Sequence, residues 1–129
     1  MEEHHRSKFE TNFKALCTKE GFELGYEKDV LPFVTPPENR KYHPDWTIKP
    51  GWFIETKGLF TSADRKKTIL VREQHPEARI LIVFLRSKST LSKKSKTTYA
   101  QWSEKNKIEW CSFEDTDKIF GFIREALGT

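Results

Sequence analysis

Long apolar runs are missing from this chain. No stretch reaches the roughly 18 residues that a membrane-spanning helix requires, so a helical membrane protein is not expected. Cysteine is scarce too: only Cys17 and Cys111 occur, with no CxxC pair and no neighbouring His pair. That excludes a structural zinc site and fits a reducing compartment. The first residues are acidic and His-rich, unlike the basic-then-apolar order of a secretory signal, so a cytoplasmic protein is expected. The four histidines, His4, His5, His43 and His75, are not spaced as a metal-binding set, and no internal repeat or interior linker is visible.

What is present reads as one globular domain. A length of 129 residues suffices for one modest core, and an aromatic share of 13% supplies large side chains to fill it. Twenty-three Lys and Arg against nineteen acids give a net charge of +4 and a pI near 9.1. That excess favours a polyanionic partner, although a soluble protein held off its isoelectric point reads the same way.

Ser7-Lys8-Phe9-Glu10 has the form of a capping box, and Phe9, Phe13, Leu16 and Cys17 repeat at helical spacing, which predicts a first helix over 7–20. A strand-like stretch from Phe22 to Glu27 leads into Val30–Pro37, where Pro32, Pro36 and Pro37 remove backbone donors. That segment cannot be a central strand and suits an extended connector, over the surface or to another subunit. Asp45–Ile48 and Trp52–Lys57 flank Lys49-Pro50-Gly51, a turn joining two antiparallel strands.

A second helix begins at Thr61-Ser62, with Asp64 in its first turn, and closes at Pro76. Ala78–Leu85 is a nearly unbroken apolar run, the mark of a strand buried on both faces. From Arg86 to Lys96 there are five cations and no acid in a Ser/Thr-rich context, which predicts a loop. A third helix over Tyr99–Lys105, a strand over Ile108–Phe113 and an amphipathic helix over Thr116–Leu127, stopped by Gly128, complete the chain. The alternation implies an α/β fold, a mixed sheet flanked by helices.

The strongest chemical signal is Pro44-Asp45, nine intervening residues, then Glu55-Thr56-Lys57. Counting outward from a three-residue turn pairs Ile48 with Trp52, Thr47 with Phe53, Trp46 with Ile54 and therefore Asp45 with Glu55. Directly opposed side chains have Cβ atoms about 5 Å apart, where two carboxylates repel unless a cation lies between them. Hard oxygen ligands at that separation suit Mg²⁺ or Mn²⁺. Strand alternation puts Lys57 on the face of Glu55, while Thr56 turns its side chain away and offers its carbonyl as a ligand. These are the parts phosphodiester hydrolysis needs. The competing reading makes Asp45 a turn-edge residue and Glu55 and Lys57 decoration on a solvated strand. From spacing alone Glu10 belongs to the helix cap, His43 is an ordinary surface residue, and the basic segment is either a solvated loop or a track for a DNA backbone.

Longer strings carry a resemblance. Tyr42-His43-Pro44-Asp45, Phe53-Ile54-Glu55-Thr56-Lys57-Gly58-Leu59, Asp64-Arg65-Lys66-Lys67, Val71-Arg72-Glu73-Gln74-His75-Pro76-Glu77 and Ile82-Val83-Phe84 resemble the phage endonuclease I family of Holliday junction resolvases. The resemblance implies a restriction-endonuclease-like core in an intertwined, domain-swapped homodimer acting on four-way junctions and other branched DNA. It implies metal ligands at Asp45, Glu55 and the Thr56 carbonyl, Lys57 as the catalytic lysine, and Glu10 as a partner-donated ligand to a second metal. Val30–Pro37 would then bridge the swapped halves. DNA contacts are expected from His43, Arg65, Lys66, Lys67, Arg72, Lys93, Lys94 and Lys96. Family members carry a longer basic C-terminal tail, whereas this chain runs through its last helix to Gly128-Thr129. Two other functions fit the same residues: a restriction or repair nuclease on linear duplex, and a non-catalytic DNA-binding module of the same fold.

Overall fold

The computed structural model describes residues 4–35 and 38–129. Helix α1 (Lys8–Lys19) is followed by strands β1 (Gly25–Tyr26), β2 (Leu31–Thr35), β3 (Glu38–Tyr42), β4 (Trp46–Lys49) and β5 (Trp52–Lys57). Then come α2 (Ser62–Gln74), β6 (Arg79–Phe84), α3 (Tyr99–Lys105), β7 (Trp110–Ser112) and α4 (Thr116–Leu127). Five strands form one mixed sheet in the order β1-β4-β5-β6-β7, and β2 and β3 pair separately.

Within the five-stranded sheet, β1 and β4 run antiparallel to their neighbours, whereas β5, β6 and β7 are mutually parallel. Parallel strands need crossovers, and α2 and α3 supply them between β5 and β6 and between β6 and β7. The central strand β6 is apolar on both faces, as its sequence requires. Leu81 and Val83 join Phe13, Cys17, Trp46, Ile54, Ile119 and Ile123 in the core under α1 and α4. Ile82 and Phe84 face the other way, onto Phe60, Tyr99 and Ile108. The helices therefore cover the sheet on both sides.

Local signals account for most element ends. The Ser7 hydroxyl accepts from the Glu10 amide at α1, Thr61 and Asp64 form a complete capping box on α2, and Gly128 ends α4 in the left-handed region at φ 73°. Three expectations need correction. The stretch from Phe22 to Glu27 yields only the two-residue β1, and Ile108–Phe113 only the three-residue β7. The turn between β4 and β5 is a two-residue Pro50-Gly51 loop, with Gly51 at φ 86° and Lys49 opposite Trp52. The register shifts between Thr47 and Lys49, so the extra residue Ile48 restores the pairing of Trp46 with Ile54.

The segment from Val30 is one arm of a hairpin rather than a lone connector. β2 and β3 are antiparallel, with Leu31 opposite Tyr42 and Phe33 opposite Arg40, and Phe33, Tyr42 and Val71 pack the hairpin onto α2. Pro36 and Pro37 lie outside the described residues. Among the described residues no helix is long and apolar enough to cross a membrane.

Candidate active site

Asp45 stands just ahead of β4, where the hairpin meets the sheet, and Glu55 and Lys57 lie on β5. The Asp45 amide donates to Glu55 Oε1 at 3.2 Å, so the two acidic residues meet as the hairpin count required. Thr56 does not turn away. Its amide and its hydroxyl both donate to Asp45 Oδ2, at 2.9 and 3.0 Å. The reason is that β4 begins only at Trp46, so the edge of β5 at Thr56 is uncovered and Asp45 caps it. A strand residue directs its N–H and C=O to the same side, which keeps the Thr56 carbonyl on the side of Asp45.

Lys57 Nζ sits 3.6 Å from Glu55 Oε2 and 3.3 Å from Asp64 Oδ1. Tyr42, at the end of β3, donates its hydroxyl to Glu55 Oε1 at 3.0 Å, and Lys67 lies over the Tyr42 ring at 5.7 Å. Glu10 is buried on α1. Its carboxylate does not close the predicted reciprocal cap. Glu10 Oε1 instead accepts from the Arg6 amide at 2.9 Å and the Tyr26 hydroxyl at 2.8 Å. The Glu10 carboxylate also comes close to that of Asp45.

Glu27 is the residue that sequence reasoning missed. Oxygens of Glu10, Glu27 and Asp45 lie within 4.8 Å of one another. Glu27 follows β1 at φ 49°, a left-handed conformation uncommon outside glycine, and its amide donates to the Asp45 carbonyl at 2.9 Å. Arg6 donates from Nη2 to Glu27 Oε1 at 3.2 Å, and its Nε lies 3.0 Å from Glu27 Oε2, a buried oxygen that has no hydrogen bond of its own. Nothing local marks Glu27 in the sequence, because only the β1–β4 pairing brings it to Asp45.

Burial and neighbouring charge act together at Asp45 and against one another at Glu55, Lys57 and Asp64. Burial, then the Glu55 charge, then Glu10 push the Asp45 carboxyl up to about 8. Burial likewise raises Glu55 above the usual carboxylate range, although Lys57 and the Tyr42 hydroxyl oppose it. For Lys57, burial alone would favour the neutral amine, but Glu55 and Asp64 outweigh it and the ammonium is held above its ordinary value. Burial would raise Asp64 as well, yet Lys57 and Thr61 win and lower it.

An acidic cluster with one excess proton affinity and hard oxygen donors is chemically matched to a divalent cation, which would replace the proton. Asp45, Glu55 and the Thr56 carbonyl could hold one ion, and Glu10, Glu27 and Asp45 a second. The donor set fits Mg²⁺ or Mn²⁺ in having oxygen alone and no thiolate or imidazole.

Glu10, His43, Asp45, Glu55, Thr56, Lys57 and Lys67 line one open depression of about 320 Å³, together with Arg6, Ser7 and Lys41. The other predicted DNA contacts are distributed differently. Arg65 donates to the Phe60 carbonyl at 2.7 Å and Arg72 donates to the Asn106 carbonyl, so each guanidinium also braces the fold. Lys66 is exposed on α2, and Lys93, Lys94 and Lys96 are exposed on the loop after β6.

Sequence comparison identifies relatives of the whole chain. The chain is 45% identical over 103 residues to Endodeoxyribonuclease 1 of Enterobacteria phage T3, covering 80% of this chain and 68% of that protein. It is 43% identical over 105 residues to Endonuclease I of Escherichia phage T7, covering 81% of this chain and 70% of the relative. Residues 1–121 match the phage endonuclease I family, and the chain belongs to that family.

Proposed function

We propose that this protein is a divalent-metal-dependent endodeoxyribonuclease that cuts branched DNA, four-way junctions above all, as a homodimer inside an infected bacterial cell. The observation that carries the reading is Asp45 and Glu55 held together at the hairpin exit with the Lys57 ammonium 3.6 Å from Glu55. The relatives supply the substrate class, since their names describe an endodeoxyribonuclease and an endonuclease.

A bound Mg²⁺ or Mn²⁺ would supply Lewis acidity to a phosphate oxygen and acidity to a coordinated water. Asp45, Glu55 and the Thr56 carbonyl would hold that ion, and Glu10 with Glu27 would provide a second set of oxygens. Lys57 stays an ammonium between Glu55 and Asp64 and faces the developing charge on the phosphate. Tyr42 fixes the Glu55 carboxylate by its hydroxyl, so the ligand does not rotate away. His43 and Lys67 beside the depression, Arg65, Lys66 and Arg72 on α2, and Lys93, Lys94 and Lys96 on the loop hold backbone phosphates. Recognition then rests on the shape of the DNA more than on base edges. Dimerisation would pair two such sites on one junction, with the segment that begins at Val30 as the bridge between the exchanged halves.

A gel comparing an intact four-way junction, a nicked junction and a linear duplex in Mg²⁺ tests the reading, together with Lys57→Ala. The expected result is preferred cutting of the junction by the wild type, and binding without cutting by the variant. Equal cutting of linear duplex would replace the junction reading with that of a general duplex nuclease. Full activity in Lys57→Ala would remove the mechanism, and absence of metal-dependent nicking would leave a DNA-binding module.

A further inference from the structure

Strand β1 is only two residues long, yet its register against β4 serves the acidic cluster twice. Gly25 stands opposite Thr47 and Tyr26 opposite Trp46. One residue on, the Glu27 amide donates to the Asp45 carbonyl at 2.9 Å, and the Glu27 carboxylate joins those of Glu10 and Asp45. The Tyr26 side chain meanwhile reaches α1, where its hydroxyl donates to Glu10 Oε1 at 2.8 Å.

A phenol has one proton to give. The Arg6 amide donates into the Tyr26 oxygen at 3.1 Å and cannot accept, so that proton is left for Glu10. The same amide donates to Glu10 Oε1 at 2.9 Å and closes the network. Both donors fall on one oxygen of the carboxylate. Its plane is thereby fixed, and the other oxygen is left for a cation.

Ring packing holds Tyr26 in place. Its ring meets His5 edge-on with centres 4.5 Å apart and Trp46 at 4.9 Å, and Trp46 is wholly buried. The hydroxyl is therefore aimed at Glu10 before any ligand arrives. The arrangement repeats what Tyr42 does for Glu55 at 3.0 Å, with Asp45 next to both carboxylates.

We propose that Tyr26 is a positioning residue for the second ion: it acts through Glu10, holding that carboxylate with Glu27 and Asp45 so that three oxygens are ready to bind. This rests on the metal-dependent reading of the Asp45 site. Without the hydroxyl, Glu10 has to be ordered at the moment of binding. Affinity for that ion should then fall roughly 10- to 100-fold, the usual cost of losing a partner that orients a ligand.

The test is Mn²⁺ binding to the DNA-free protein, followed by calorimetry, for wild type, Tyr26→Phe, Glu10→Ala and the double variant. Tyr26→Phe keeps the ring and its packing, and an unchanged metal-free melting temperature would verify that. Wild type should take up two ions per chain. Tyr26→Phe should weaken one of them roughly 10- to 100-fold and spare the other. Glu10→Ala should weaken the same ion, and adding Tyr26→Phe to it should change nothing further, because no carboxylate remains to be held. In cleavage, Tyr26→Phe should raise the half-saturating Mg²⁺ concentration by a similar factor and regain the wild-type rate in excess Mg²⁺. Unchanged Mn²⁺ affinity in Tyr26→Phe, equal weakening of both ions, or a further loss on top of Glu10→Ala overturns the role. A wild type that binds one ion alone overturns it too, whereas a wild type that binds none overturns the metal-dependent reading on which it rests.

Discussion

Asp64 Oδ1 lies 3.3 Å from Lys57 Nζ while its other oxygen accepts the Thr61 amide at 3.1 Å, so one carboxylate both caps α2 and anchors the lysine. Asp64→Asn should keep a capping oxygen and lose the charge. Lys57 then loses one of the anions that hold its ammonium up, and its pKa falls. Cleavage should drop on the order of tenfold, as for other partners that orient a reactive group. The basic limb of the pH–rate profile should move to lower pH. An unchanged profile would mean that Asp64 serves only the helix.

The Asp45 carboxyl, raised from an ordinary 3.8 to about 8, has a stability consequence whose sign is fixed. Between those values the metal-free folded protein binds a proton there that the unfolded chain has released, so stability falls as pH rises. The full contribution is present below pH 3.8 and gone above about pH 8. Glu55 is raised as well and adds in the same direction. Melting temperature without metal should therefore decline from pH 6 to pH 8.5. Mg²⁺ or Mn²⁺ should restore more of it at the upper end, releasing a proton on binding below about pH 8. Calorimetry in two buffers of different ionisation enthalpy measures that proton.

The loop after β6 offers a test of backbone contact. Lys93→Glu with Lys94→Glu should weaken DNA binding whatever the sequence, and reduce the slope of log affinity against log salt by about 2. Both side chains are exposed, so thermal stability should hold. Unchanged salt dependence would make the loop ordinary surface.

Gln74 gives the hairpin its tie to α2. Its side-chain amide donates to the Val34 carbonyl at 2.9 Å and accepts the Val34 amide at 2.7 Å, as a neighbouring strand would. Gln74→Ala should cost about 1–2 kcal/mol. It should also speed hydrogen exchange at the Val34 amide more than at amides of β5 and β6, which exchange measured by NMR would show.

Much of this fold is legible in the chain because its signals are local. Ser7, Thr61 and Gly128 mark helix ends by hydrogen bonds and backbone conformation that depend on a few adjacent residues. The apolar run of β6 needs no partner to be recognised. Across the hairpin, the expected meeting of Asp45 and Glu55 occurs although the tip differs, because Ile48 offsets a loop one residue shorter than expected. What could not be read are relationships made by distant strands. Glu27 joins Asp45 through β1–β4 pairing, Tyr42 reaches Glu55 from the hairpin, and Thr56 meets Asp45 because a strand begins one residue late. Glu10 illustrates a divided signal: the cap from Ser7 is present, while the carboxylate faces Arg6 and Tyr26.

The outer flank of β2 has one further consequence. His75 Nε2 meets the Pro32 carbonyl, Pro32 has no amide to offer, and Gln74 occupies both polar groups of Val34. An open strand flank is a template on which another polypeptide can polymerise. Helix α2 has blocked that template with two side chains, so loss of Gln74 and His75 together would expose a sticky border and favour fibrous self-association over a closed assembly.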